Sequence, residues 1–368
     1  MISAEDQRGQ DCRVEPDDIR SAHDFACLLF RFLEEHGIRY CILPAHKHAP
    51  EDVPNKLDLA IHPEDECKWP RVIKSLSAHA YLPIRSVHCT AKMRRYDFAW
   101  LDSDRMSGTA VYLISYSGRE HSLGTKRPEW TGRSHNTIDG RFRLVGSRYQ
   151  RIQDWIRPTG LFIVLLGPDG AGKSTVIKHL VEATRPAFRG HQLFHWRPSS
   201  LFRRKHGGNV TEPHAQVPHS AWRSVARVLL YILDYWFGYL TKIGPGLTRS
   251  NLVVFDRYFY DLMVDPRRYR YGGPQWLILA LMPFVPKPHL VLVLDASEET
   301  VLSRKQELDF KELRRLRNCY GRLAGRIAST EVVQADEEIG QVVGRASQAV
   351  TRLLVRRFYE RHGAELSS

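Results

Sequence analysis

The chain has 368 residues, 54 Lys plus Arg against 41 Asp plus Glu for a formal charge of +13, and 43% hydrophobic residues. That is enough for two domains with real cores and too apolar for a disordered polymer, and the positive balance favours an anionic partner such as a nucleotide or a phosphorylated substrate. The basic residues are spread along the chain, in runs such as RRYR and ELRRLR, with no RNA-binding or zinc-finger signature, so no nucleic-acid partner is indicated.

Residues 1–17 are polar and read as a disordered tail without the apolar segment of a signal peptide. A domain is expected over 18–118. It opens with the helix AHDFACLLFRFLEEHG, whose apolar residues recur at three and four spacing before a C-terminal glycine. Strands IRYCIL and LDLAIHP follow, then a helical stretch over 64–79 and strands RRYDFAW and AVYLISY, which together make a small α+β unit. The loop HKHAPED (His46, His48, Glu51, Asp52) does not have the spacing of a metal site and reads as solvated. Residues 119–158, rich in Arg, Gly and Ser, read as a linker.

From 159 to 368 the pattern becomes strands separated by helices: LFIVLL, LFHW at 193–196, LVVFD at 252–256, LVLVLD at 290–295 and EVVQAD at 331–336. Several are nearly continuous apolar runs, as in parallel strands covered on both faces. The expected fold is therefore α/β, a doubly wound parallel five-stranded sheet, with a smaller α+β domain before it. Two apolar segments, RVLLYILDYWFGYLTK and WLILALMPFVP, are too short to span a bilayer and read as buried or half-buried helices, so no membrane partner is expected. The six cysteines (Cys12, Cys27, Cys41, Cys67, Cys89, Cys319) contain no C-x-x-C pair. They suggest neither a disulfide framework nor a zinc site, and the expected location is cytoplasmic.

The chemistry begins at Gly167-Pro-Asp-Gly-Ala-Gly-Lys-Ser174, a complete G-x-x-x-x-G-K-[ST] loop between a buried strand and a helix-capable run. Gly167, Gly170, Ala171 and Gly172 turn backbone N–H groups inward as an anion nest at a helix N-terminus, with Thr175 continuing it. Lys173 is expected at the β/γ-phosphates and Ser174 on Mg²⁺, which makes ATP and Mg²⁺ the expected cofactors. Asp169 puts a carboxylate among phosphates and is expected to serve a second ligand, for example an acceptor hydroxyl. Asp256 and Arg257 fall at a strand tip, where α/β sheets place their ligands. There Arg257 is expected to bridge phosphates and Asp256 to position Mg²⁺ or an attacking oxygen. His195 and Arg197 lie near a second strand end, at the expected acceptor pocket.

GPDGAGKST, DRY and PHLVLVLDASEETVLSRKQEL together resemble the thymidylate kinase group of nucleoside monophosphate kinases, over about 161–360. The resemblance implies a kinase with a small-molecule phosphate acceptor. It places Asp169 near an acceptor hydroxyl, Arg257 on a phosphate, Tyr258 and Asp261 on the acceptor side, and Arg304 as a lid arginine over the donor. Arg197 and Pro198 match that group's R-E-P-G-G-T, whereas the glycine pair and the serine after D-R-Y are missing. The acceptor-reading residues are thus the ones that differ. A homodimer is an open possibility. Two other readings remain: a regulatory or scaffolding nucleotide-binding module, and a polyphosphate-using kinase, which the +13 charge suits.

The segment YCILPAHKHAPEDVPNKLDLAIHPED is similar to the start of a nucleotidyltransferase-like domain, whose D-x-D carboxylates share one strand face to bind metal. Here the pair is Lys56 and Asp58, with Asp97 as a possible later carboxylate. A lysine repels Mg²⁺, so this domain is expected to be inactive.

Overall fold

The computed structural model describes residues 21–42, 56–90, 93–102, 105–115, 155–198, 217–304 and 309–367. The chain divides into two compact units, Met1–Gly146 with Leu354–Ser368, and Ser147–Leu353. The expected tail at 1–17, the loop HKHAPED and nearly all of the expected linker lie outside the described residues.

In the first unit, helix α1 (Ala22–Glu35) starts at a capping box: the Asp24 N–H donates to Ser21 Oγ at 3.2 Å and the Ser21 N–H to Asp24 Oδ2 at 2.9 Å. Its inner face buries Phe25, Leu28, Leu29, Phe32 and Leu33. Next come β1 (Tyr40–Ile42), β2 (Lys56–Ile61), a 3₁₀ turn over Pro63–Lys68 and α2 (Trp69–Ala78). Three long strands close the sheet: β3 (Leu82–Thr90), β4 (Met93–Asp102) and β5 (Arg105–Ser115). The order is β1-β2-β5-β4-β3, with β2–β5 parallel and the other pairs antiparallel. Strand β3 has no counterpart in the sequence reading. Its LPIRSVHCT lacks clean alternation, and its pairing with β4 carries register shifts at Pro83/Arg85 and His88/Thr90.

The first unit also claims the end of the chain. Phe358 is 2% exposed within the same core as Phe25, Trp69 and Trp100, and the Tyr359 hydroxyl lies 3.0 Å from that of Ser77. The sequence reading ran the second domain to residue 368; apolar side chains late in the last helix draw Leu354–Ser368 into the first unit instead.

The second unit is built on β6 (Leu161–Leu166), α3 (Lys173–Ala183), β7 (His191–His195), α4 (Ala221–Gly238), β8 (Leu252–Asp256), α5 (Gln275–Leu281), β9 (Leu290–Asp295), α6 (Glu298–Arg304), α7 (Phe310–Ala324), β10 (Thr330–Gln334) and the part of α8 (Ile339–Ser367) before Leu354. All five strands expected from the sequence are present, every pair is parallel, and the order is β10-β9-β6-β8-β7. All six residues of β6 are buried, as its central place requires. Strands β8 and β7 lie to one side of β6, with β9 and β10 on the other. The order therefore reverses at β6, and the carboxyl ends of β6 and β8 border the crevice where such sheets bind ligands.

Candidate active site

The chain must turn immediately after β6. Gly167 does so at φ 145°, where a Cβ would stand 2.8 Å from the Leu294 carbonyl oxygen, so no larger residue fits. Gly172, at φ 86°, is the N-cap of α3 and has no side chain to cap it, which leaves the first-turn amides and the positive helix end to a ligand. Gly170 also has a left-handed φ (89°), and the Ala171 N–H closes the turn on the Pro168 oxygen at 3.3 Å. Thr175 is exposed in the first turn of α3.

Lys173 is 6% exposed, and its Nζ donates to the carbonyls of Gly167 at 2.9 Å and Pro168 at 2.8 Å. Burial, then the neighbouring Arg257, pushes its pKa down to about 8. Asp169 lies 3.7 Å from Nζ and accepts from two arginines, Arg257 on Oδ1 and Arg268 on Oδ2. Burial works to raise its pKa, but Arg257, Lys173 and Arg268 together hold it below the usual carboxylate range. The carboxylate expected to wait for a second ligand is thus already balanced by the protein. Arg268, in DPRRYR, is the partner the sequence reading missed. Only the basic run signalled it, and a basic run does not say which residue turns inward.

Arg257 follows β8 with φ 72°, unusual for a non-glycine, and is held there by its N–H on the Leu165 oxygen at 3.0 Å. It is 3% exposed and donates through Nη1 to Asp261 Oδ2 at 2.9 Å. Asp261, fully buried, also accepts from the Tyr320 hydroxyl at 2.9 Å. It therefore anchors Arg257 from behind, a correction to its expected place at the substrate. Tyr258 is corrected likewise: it lies fully buried in the core, with its hydroxyl on the Pro286 oxygen at 2.5 Å.

The Ser174 hydroxyl donates to Asp256 Oδ2 at 3.2 Å, and His195 Nδ1 lies 3.7 Å from the same oxygen. Burial opposes the Asp256 charge, but His195 and Lys173 keep its pKa below the ordinary value. Asp256 Oδ1 is buried with no hydrogen-bond partner. An orphaned carboxylate oxygen beside a serine hydroxyl is a hard oxygen donor set, which fits Mg²⁺. Arg304, the last residue of α6, is exposed and brings Nη1 to 3.6 Å from where a Cβ on Gly172 would stand, so the expected lid arginine lies at the loop. A cleft of about 490 Å³ opens beside Ser174 between α3 and the edge strand β7, lined by Ile177, Val181, Leu193 and His195 among others.

Arg197 is set apart from this group. Its Nη1 pairs with the fully buried Asp234 of α4 at 3.1 Å, and its guanidinium lies 5.2 Å from the Tyr231 ring centre and 5.6 Å from that of Trp196. Trp196 in turn stacks on Tyr269 at 4.5 Å.

In the first unit, β2 places Lys56 Nζ 3.9 Å from Asp58 Oδ2. Both oxygens of Asp97 are taken by arginines, Arg85 on Oδ2 and Arg95 Nε on Oδ1 at 2.5 Å. Cations thus stand beside the carboxylates of both Asp58 and Asp97.

Against known proteins, a family model described as thymidylate kinase matches residues 166–345. The chain is 29% identical over 214 residues to a protein of Thermococcus kodakarensis named probable thymidylate kinase, covering 53% of this chain and 98% of the relative. It is 27% identical over 212 residues to the thymidylate kinase of Xanthomonas oryzae pv. oryzae, covering 55% and 88%. Among solved structures, the thymidylate kinase of Ehrlichia chaffeensis has 18% identity and a TM-score of 0.37, covering 52% of this chain and 98% of that one.

Proposed function

We propose that this chain, whose C-terminal half carries a thymidylate kinase-like P-loop kinase domain, moves the γ-phosphate of ATP to a small nucleotide-, nucleoside- or sugar-type acceptor. The observation that carries this reading is Asp169 inside the phosphate loop, gripped by Arg257 from the tip of β8 and by Arg268. A nucleotide switch needs no pair of oriented guanidiniums beside its loop; a transferase does, because charge builds on the phosphoryl group as it passes between oxygens.

The α3 amides and Lys173 bind the donor phosphates. Ser174 and Asp256 would hold Mg²⁺, which neutralises phosphate charge when bound. Arg257, fixed by Asp261 and Asp169, faces the transferred group, and Arg304 closes over the loop from α6. Asp169 holds both arginines in register and offers its carboxylate to an acceptor hydroxyl. We read the first unit as non-catalytic, used for docking, substrate binding or pairing of two copies, because Lys56, Arg85 and Arg95 stand around its carboxylates.

The test is ATP consumption by the purified chain across nucleoside monophosphates, nucleosides, sugars and polyphosphate. One acceptor class is expected to stimulate turnover, and Lys173→Ala is expected to abolish it. Undiminished turnover in that variant would remove the kinase assignment.

A further inference from the structure

The basic run ELRRLR lies on α7, and the helix sorts its arginines. Leu313, Leu316 and Tyr320 are buried at spacings of three and four, which makes one inner face. Arg317 stands on that same line, whereas Arg314 and Arg315 are exposed, Arg315 pairing with Glu312 of its own helix at 2.7 Å. Arg317 instead reaches two other elements with all three of its side-chain nitrogens. Nε donates to Asp295 Oδ1 at 2.5 Å and Nη2 to Asp295 Oδ2 at 3.0 Å, a forked grip on the last residue of β9. Nη1 donates to Glu298 Oε2 at 3.1 Å, in the first turn of α6. Glu298 is 8% exposed, and a carboxylate that deeply placed needs such a partner.

The start of α6 is tied from a second side. Asp336, just past β10, accepts from the Ser297 N–H on Oδ1 at 2.9 Å and on Oδ2 at 3.1 Å, and from the Ser297 hydroxyl at 2.8 Å. Ser297 Oγ in turn accepts from the Thr300 N–H at 3.3 Å and caps the helix. Burial opposes the Asp336 charge, but hydrogen bonds from Thr300 and Ser297 hold its pKa below the ordinary value. From this fixed start α6 runs only seven residues, roughly 10 Å, to Arg304, whose guanidinium lies beside Gly172. A tilt of about 10° at the start would move Arg304 by about 2 Å, and about 1 Å of misplacement is enough to slow a transfer about 10²-fold. Three residues further along the same face of α7, Tyr320 donates to Asp261, which anchors Arg257. One helix face therefore braces both guanidiniums that stand at the phosphate loop.

We infer that Arg317 is a positioning residue: by locking the start of α6 to the tip of β9, with Asp336 as the second anchor, it aims Arg304 at the phosphate loop. This role presupposes the kinase reading proposed above, in which Arg304 closes over the donor. The test is a double-mutant cycle on MgATP affinity, measured by titration calorimetry on the full chain with thermal unfolding alongside. Arg304→Ala is expected to weaken MgATP binding about tenfold, as the loss of one charged contact does. Arg317→Ala should weaken it nearly as much, and the double variant no further, because Arg317 acts through Arg304. Arg317→Lys keeps a cation but not the fork and should recover part of the loss. Asp336→Ala should weaken binding in the same direction, and Asp336→Asn, whose amide oxygen still accepts from Ser297, should restore it. If Arg317→Ala does not fold, Arg317→Lys and Asp336→Ala complete the cycle with Arg304→Ala. A lowered unfolding temperature with unchanged MgATP affinity would make Arg317 a structural tie only and overturn the proposal. Additive losses in the double variant would overturn it too, as would an Arg304→Ala protein that binds MgATP like the wild type. The cycle reads binding alone, so its outcome is separate from the Lys173→Ala turnover test that decides the kinase reading.

Discussion

Asp169 sits where a carboxylate is least comfortable, in a loop shaped for phosphate, and its two oxygens explain how it stays. Arg257 takes one and Arg268 the other, so the local charge is balanced before any ligand arrives. Asp169→Asn should leave ATP affinity unchanged or slightly tighter, because a like charge near the phosphates is removed. The acceptor kcat/KM should fall about 10²-fold, since the arginines lose their common anchor. Arg268→Ala should lower acceptor kcat/KM in the same sense without weakening ATP. Steady-state kinetics with ATP and acceptor varied separately would check both; loss of ATP affinity in Asp169→Asn would assign the carboxylate to the metal instead. Lys173 yields a proton prediction. Its pKa of about 8 in the ligand-free site lies below the ordinary 10.5, so above pH 8 a growing fraction is neutral. Phosphate charge favours the protonated form, so ATP binding near pH 8.5 should take up protons. Titration calorimetry in buffers of different ionisation enthalpy would show it, and buffer-independent heats would refute it.

Among the elements, α4 decides how the tip of β7 is held. Its buried Asp234 pairs with Arg197, and Tyr235 donates to the Trp196 oxygen. Arg197 was expected to contact substrate because its sequence neighbourhood matches an acceptor-binding motif. A motif gives a residue's place along the chain, but the partner that claims its guanidinium comes from another element, 37 positions away. Asp234→Ala should strand the Arg197 charge in a mostly buried setting and cost about 3 kcal/mol in urea denaturation. Asp234→Leu combined with Arg197→Met should recover much of that. If Asp234→Ala were silent, the pair would be no brace.

For the whole molecule, every residue assigned to phosphoryl transfer lies within Ser147–Leu353, so a fragment of that span should bind ATP with near-native affinity. Phe358 belongs to the other unit's core. In the full chain, Phe358→Ala should lower the stability of the first unit by about 3–5 kcal/mol, read as a shifted thermal transition, while leaving ATP affinity alone. A fragment that bound no ATP would make the nucleotide site depend on residues outside its own unit.

The sequence by itself determined the parallel sheet, the phosphate loop and the place of Asp256 and Arg257 at a strand tip. Those features are written in local patterns: continuous apolar runs for strands buried on both faces, and fixed glycine spacing for a turn that needs left-handed backbone. Tertiary structure alone decided which of several arginines reaches Asp169, that Asp261 and Tyr258 lie behind the site, and that β3 pairs where its own pattern is weak. It also decided that the end of the last helix, from Leu354 on, belongs to the first unit and that α4 leaves an apolar face outward. Each of these depends on which distant side chain shares a buried volume or a charge, and no local period records that.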